Sequence, residues 1–289
     1  MNVRLPEDDK VKYSTKDKII YISAIILCVI SLTIVIFIEL SGTVGDINII
    51  NVEEKKLSTK SEEETAILKS EFENKFTNNI EKKLSTANVK KVDEAKEIIY
   101  TNVQKQETKE NSYNVKVNIP YINIESEEIK KYNEEINTLF ESKLKTILEN
   151  QNSNTIYSVE YVASLNEDNI MSLMIKSTLK EGANAQRVII KTYNYDMQNG
   201  KVIKLEEVLN KNNVKVEEAQ KKVKESIEEA QKRVEDLKAI GYNIFSRDYN
   251  SGDYEISNTE EFYYTSNTLY IIYAYGNSSY TSELDVVVL

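Results

Sequence analysis

The sequence predicts an α+β fold, an antiparallel sheet with amphipathic helices packed on it, preceded by a single N-terminal transmembrane helix. Three observations predict it. One apolar run is long enough to cross a bilayer, several segments alternate apolar and polar residues between turn signals, and the strands and helices cluster separately along the chain.

The membrane segment comes first. Ile19 to Leu40 reads IIYISAIILCVISLTIVIFIEL, about 22 residues with one charge, which as a helix spans roughly 30 Å of hydrocarbon. The run holds no Pro or Gly, and in a bilayer its backbone groups are satisfied only by a helix. The tail before it carries Arg4, Lys10, Lys12, Lys16 and Lys18, whereas the next basic residues are Lys55, Lys56 and Lys60. Lysine bias places the N-terminus in the cytoplasm and the C-terminal domain outside the cell membrane. A cleaved secretory signal is the competing reading, but its apolar stretch usually runs about 7–15 residues. The resulting division is a cytoplasmic tail over 1–18, a bilayer helix over 19–41 and a juxtamembrane segment over 42–64. A first extracytoplasmic α+β domain over 65–185 and a second over 186–289 follow.

Roughly 245 residues beyond the anchor are enough for a substantial core. With 40% hydrophobic residues, 2 Pro and 7 Gly, this region reads as folded and not as a stalk. A helix with one apolar stripe is expected from Val52 to Leu84, on Ile67, Leu68, Phe72, Phe76, Ile80 and Leu84. A short element follows from Val92 to Val103. Tyr113 to Ile124 alternates around Pro120 and reads as an edge strand or one that breaks there.

Ser126-Glu127-Glu128 opens a helix whose buried face is Ile129, Tyr132, Ile136, Leu139, Phe140, Leu144, Ile147 and Leu148. Three strands, Thr155 to Leu165, Asn169 to Lys180 and Gln186 to Asp196, are joined by short turns, which implies antiparallel pairing. Gln198-Asn199-Gly200 turns the chain again before Lys201 to Leu205. Val214 to Ala239 is a second helix, with Val216, Ala219, Val223, Ile227, Ala230, Val234 and Leu237 on one side, stopped by Gly241. Strands at Glu261 to Tyr264, Thr268 to Tyr275 and Ser282 to Leu289 close the chain.

Composition narrows the function. The formal net charge of −10 and the absence of a basic stripe argue against nucleic acid as a partner. There is no histidine, which removes His-based bases, Ser-His-Asp devices and the usual zinc sites. The single cysteine, Cys28, lies in the apolar run, so no disulfide is available outside.

Paired carboxylates such as Glu206-Glu207 and Glu260-Glu261 read as solvated surface. Ser142-Lys143-Leu144-Lys145 matches a Ser-x-x-Lys pattern without its companions. Asp248 to Thr259 resembles a calcium loop but places Asp253 and Thr259 where Gly and Glu are required. No enzyme activity, catalytic residue, cofactor or metal is therefore expected.

Tyrosine remains. Tyr254, Tyr263, Tyr264, Tyr270, Tyr273, Tyr275 and Tyr280 crowd the C-terminal region, and a ring with a polar tip suits protein or sugar contacts. Tyr270, Ile272 and Ala274 share one strand face, and Ile271, Tyr273 and Tyr275 the other, so one set belongs to the core. Tyr273, Tyr275 and Tyr280 are the partner-binding candidates.

Ser172 to Leu209 reads SLMIKSTLKEGANAQRVIIKTYNYDMQNGKVIKLEEVL. Two strands, a Gly-Ala loop, a Tyr-rich strand, Asn199-Gly200-Lys201 and Lys204 to Leu209 resemble the start of a domain of unknown function. It is found outside the membrane in anti-sigma-V factors and in peptidoglycan deacetylases of the PdaC type. YNVKVNIPYINI and the helix after it are similar to the companion domain, and the closing strands fit as well, so the resemblance spans about Thr65 to Leu289.

It implies tandem α+β domains that bind a partner outside the cell, lysozyme in the anti-sigma-V case. This chain reads Gly182-Ala183-Asn184-Ala185 where the family commonly has Gly-Ala-His-Gly. With a tail of only Met1 to Lys18 before the apolar run and Leu289 as the last residue, neither a sigma-binding nor a deacetylase domain is expected. The function expected is a membrane-anchored, non-catalytic binding or sensor module for a protein or cell-wall glycan ligand. The alternative is an envelope interaction protein without a signalling role.

Overall fold

The computed structural model describes residues 89–150, 154–166, 169–265 and 268–289, all within the compact unit Thr65–Leu289. The tail, the bilayer segment, the juxtamembrane segment and the helix expected over 52–84 lie outside the described residues. Among the described residues no helix is long and apolar enough to cross a membrane.

The first strands are β1 (Ile99–Lys109) and β2 (Tyr113–Ile122), an antiparallel hairpin. Pro120 neither ends β2 nor puts it at an edge. Pairing with the next strand reaches only Val117, and β1 shifts register between Thr101 and Val103 opposite the proline. The ladder thereby accommodates a residue with no N–H to donate.

Helix α1 (Glu127–Ile136) and helix α2 (Ser142–Glu149) are joined by one π-helical turn, Asn137–Glu141. That wider turn shifts the phase of the apolar stripe. Ile129, Ile136, Phe140, Leu144 and Ile147 are buried as expected, but Leu139 is 39% exposed.

Strands β3 (Thr155–Leu165), β4 (Ile170–Glu181), β5 (Arg187–Asp196) and the two-residue β6 (Lys201–Val202) complete a six-stranded sheet in sequence order. Its pairs are antiparallel with one exception: β2 and β3 run parallel. The expectation of a purely antiparallel sheet is corrected there, because α1 and α2 carry the chain back over the sheet as a crossover connection. The division expected between residues 185 and 186 falls inside this sheet, where β4 and β5 pair from Ile170↔Asp196 to Leu179↔Arg187.

The strand expected over Lys201 to Leu205 is confined to β6, the Lys204 to Leu209 motif leads into helix α3 (Leu205–Lys211), and helix α4 (Val216–Ala239) follows. Ala219, Val223, Ile227, Ala230 and Val234 bury the face that its spacing indicates. Gly241, at φ +97°, adopts a conformation that side chains disfavour. The N–H of Tyr242 there reaches back to the Leu237 carbonyl, closing the last turn. A second sheet is made of β7 (Phe262–Tyr264), β8 (Leu269–Ala274) and β9 (Leu284–Val288), antiparallel in that order.

Four layers result. Helices α1 and α2 bury Ile129, Phe140 and Ile147 against Val115, Tyr157, Leu173 and Tyr193 on one face of the large sheet. The other face meets the small sheet through Val162, Met174, Val188, Ile190, Tyr263, Tyr270 and Ile272. Helices α3 and α4 cover the far side of the small sheet, on Phe262, Tyr264, Ile271 and Val287.

Polar groups fix how the sheets dock. Ser164 Oγ donates to the Tyr264 carbonyl at 2.6 Å, and Asn194 Nδ2 to the Phe262 carbonyl at 2.8 Å. Ser172 Oγ donates to Asn194 Oδ1 and accepts from the Tyr264 N–H. Buried groups of this kind need partners, and only one register of the sheets supplies them.

The outer edge of β5 has no neighbouring strand along most of its length, yet its N–H groups are satisfied. Thr192 N donates to Glu261 Oε2 at 2.6 Å, and Val188 N to the Thr281 carbonyl at 3.0 Å. Between them the Asn277 side chain accepts from Ile190 N at 3.0 Å and donates to the Ile190 carbonyl at 2.8 Å, as a peptide group would. An edge plugged in this way resists pairing with another chain.

Candidate functional site

The end of β8, the start of β9, and the loop after α4 converge on one cluster. Two acidic residues two positions apart on and before β9, Glu283 and Asp285, receive Arg247, which is 7% exposed. Its Nε and Nη2 donate to Asp285 Oδ2 and Oδ1 at 2.9 and 3.3 Å, and Nη1 donates to Glu283 Oε2 at 2.7 Å. Burial alone lowers the arginine's proton affinity, but Asp285 and Glu283 outweigh that and hold it above its ordinary value. The planar fork suits this bidentate task as a lysine would not.

Tyr275 sits against this cation. The guanidinium carbon lies 4.8 Å from its ring centre, while the Phe245 ring stacks on it at 4.5 Å and 25°. The Tyr275 hydroxyl donates to Asp285 Oδ2 at 2.5 Å and lies 2.9 Å from the Tyr254 hydroxyl. Burial, reinforced by Asp285, pushes its ionisation well above the ordinary tyrosine range. Arg247 Nη1 also donates to the Phe245 carbonyl, Phe245 N donates to Glu283 Oε1, and Arg247 N to Gln231 Oε1 on α4. The loop is thereby locked to β9 and α4.

The two loops tied together here, 240–247 and 275–283, each carry exposed aromatic rings. Tyr280 is 70% exposed, Tyr242 48% and Phe245 36%, with Ile240 beside them in sequence at 63%. The Arg187 guanidinium stands 5.3 Å from the Tyr280 ring centre while its own donors hold the carbonyls of Gly276 and Asn277.

The three tyrosines proposed from sequence therefore part company. Tyr280 is on the surface as expected. Tyr275 is buried and forms the base. Tyr273 is buried in the core, edge-on to Tyr254 at 5.0 Å, with its hydroxyl 3.2 Å from Thr259 Oγ1. Burial pushes its ionisation up to about 12.

The expectation that Tyr273 and Tyr275 are exposed is corrected for a physical reason. The small sheet is covered on both faces, so alternation along β8 separates two interiors and not an inside from an outside. Sequence reasoning passed over Tyr242, Phe245 and Arg247. A run of aromatics straight after the Gly241 helix stop was a signal for the first two. The pairing of Arg247 with Asp285 left none.

The cluster's charged groups are paired with one another. Both carboxylates are engaged by Arg247, and among the described residues no three His, Cys, Asp or Glu side chains gather as a metal site. What it presents is rigid rings backed by fixed charge.

No family model matches the chain, and no curated protein matches it. Two solved structures are similar, both of DUF3298 family proteins. One, from Pseudomonas aeruginosa PAO1, has 14% identity and a TM-score of 0.36 over 65% of this chain and 86% of that one. The other, from Bacteroides fragilis NCTC 9343, has 13% identity and a TM-score of 0.32 over 66% and 88%.

Proposed function

We propose that this chain is a membrane-anchored, non-catalytic binding or sensor module, whose domain outside the cell grips a protein or cell-wall glycan through the surface of Tyr242, Phe245 and Tyr280. The observation that carries the reading is the exposure of three aromatic rings, Tyr242 and Phe245 on one loop and Tyr280 on another, two loops that Arg247, Phe245 N and Glu283 tie to each other. Large rings over a pre-organised base lose little entropy on binding, which is why such residues dominate interface energies. The anchor rests on the apolar run of Ile19 to Leu40. The ligand classes, lysozyme or a wall glycan, rest on the resemblance to anti-sigma-V factors and PdaC-type deacetylases.

Calorimetry of the full chain in detergent micelles, titrated with lysozyme and separately with soluble peptidoglycan fragments, tests the reading. Binding to one of them is expected, and Tyr280→Ala should weaken it about tenfold or more while leaving stability within about 0.5 kcal/mol. No heat with either ligand, or full affinity in a variant lacking both Tyr280 and Phe245 rings, sinks it.

A further inference from the structure

The edges of the two sheets are treated unequally. In the large sheet, β1 carries Lys105, Glu107 and Lys109 and shifts register between Thr101 and Val103. At the other end β6 is two residues long, and the β5 edge beside it is plugged by Asn277, Glu261 and the Thr281 carbonyl. In the small sheet, side chains of the large one take up the outer edge of β7. Phe262 N donates to Thr192 Oγ1 at 3.0 Å and Tyr264 N to Ser172 Oγ at 3.3 Å, while the Phe262 and Tyr264 carbonyls accept from Asn194 and Ser164. Charge, irregularity, brevity and cover are the devices that keep an edge from pairing with another chain.

The outer edge of β9 has none of them. Its bonding to β8 is fixed at both ends: Leu269 and Leu289 exchange N–H to carbonyl bonds at 3.1 and 2.9 Å, and Tyr275 N donates to the Glu283 carbonyl at 3.1 Å. An antiparallel pair bonds at every second residue, so 283, 285, 287 and 289 bond β8. The N–H and carbonyl groups of Leu284, Val286 and Val288 therefore point away from it, and among the described residues nothing bonds to them. Their side chains are half-buried against the core between the sheets. Val287 is buried on the other face, and the one charge, Asp285, is held by Arg247.

We propose that the free edge of β9 docks β9 of a second copy of this chain, the two strands running antiparallel about a twofold axis at Val286. The edge is complementary to itself. Val286 exchanges both its bonds with its own counterpart, and Leu284 does so with Val288 of the second copy, which uses every outward group of both strands. Apolar side chains then stand opposite apolar ones. Asp285 stands opposite Val287, so these strands meet without facing carboxylates although each chain carries a net charge of −10.

A second copy also brings its strand already formed, whereas an extended peptide must be ordered as it binds. The pairing ends itself as well. It consumes both β9 edges and leaves the covered β7 edges at the two ends of the joined sheet, so the product is a closed dimer and not a fibre. One short strand makes a small seam, and the dimer is accordingly weak and concentration-dependent.

Sedimentation equilibrium of the full chain in detergent micelles, over about 10 µM to about 1 mM, tests the proposal in the range where small interfaces associate. A monomer–dimer equilibrium is expected. Val286→Pro removes an N–H that β8 does not use and should weaken association about tenfold or more. In a Cys28→Ser background, Val286→Cys puts two thiols across a bonded pair whose Cα atoms lie about 5.5 Å apart, within disulfide range. It should cross-link two chains under mild oxidation, whereas Val202→Cys, on β6 and 38% exposed, should not. The cysteine pair keeps the test decisive if the proline variant fails to fold. A monomer at every concentration, a folded Val286→Pro chain that dimerises as the wild type does, or equal cross-linking at the two cysteine positions overturns the proposal.

Discussion

Gly276→Ala is expected to be the most damaging single methyl group in the described structure. The residue stands at the foot of β8 where the chain turns against the edge of β5. A Cβ built there lies 2.6 Å from the Thr281 carbonyl oxygen and 2.7 Å from the Val188 carbonyl carbon, and nearer still to the Val188 oxygen. All three are backbone atoms, so no side chain can swing aside.

Relief needs the 275–281 loop to retreat by roughly 1 Å, judged against ordinary contact distances. That retreat strains the bond from Val188 N to Thr281, the two Asn277 bonds to Ile190, and the Arg187 Nη2 bond to the Asn277 carbonyl at 3.1 Å. At about 1 kcal/mol net for each bond, their loss comes to about 4 kcal/mol. The lower entropy of an unfolded alanine offsets at most about 1 kcal/mol, leaving a destabilisation of about 3 kcal/mol. Urea unfolding of the full chain, followed by far-ultraviolet circular dichroism, measures it. A loss below about 1 kcal/mol would mean that the loop yields freely, and the account of the plugged edge would fall with it.

Other outcomes follow from the same contacts. Asn277→Ala leaves the Ile190 N–H and carbonyl unpaired and should cost about 1–3 kcal/mol in the same unfolding assay, with Asn277→Asp restoring only the acceptor half. Arg247→Met strands Asp285 and Glu283 and should cost about 3 kcal/mol, with faster proteolysis in the 240–247 loop. Burial raises the Asp196 carboxyl, but bonds from Asn199 and Lys211 outweigh it and hold the group below its ordinary value. A depressed carboxylate contributes stability that is whole above the unfolded value of about 3.9 and fades as pH falls towards the folded one. Urea midpoints below about pH 5 should therefore drop less steeply in Asp196→Asn than in the wild type.

Much of the fold was legible one residue at a time. Turn residues bound β3, β4 and β5 almost to the residue, because an Asn or Gly at positive φ, such as Asn169, Gly182 or Gly200, marks the place where a strand must end. The buried face of α4 was readable for a similar reason, since helical spacing commits Ala219, Val223, Ile227, Ala230 and Val234 to one side. Leu139 escaped the same reasoning because a π-turn changes the period, and nothing in a list of apolar residues announces one. Of the candidate site, sequence named Tyr280, which is exposed, and the tyrosine-rich strand, but not Arg247, Glu283 and Asp285.

What the sequence by itself determined is therefore local: the lengths of β3, β4 and β5, the buried face of α4, the turns, and the want of histidine chemistry. Tertiary structure decided the rest. The α1–α2 crossover set β2 and β3 parallel. The covering of the small sheet from both sides took Tyr273 and Tyr275 out of water and left Tyr280 in it. The docking of β9 beside the loop after α4 brought Asp285 to Arg247 across 38 residues of chain. Alternation reports which residues share a face of a strand, whereas what lies against that face is settled only when distant segments compete for it.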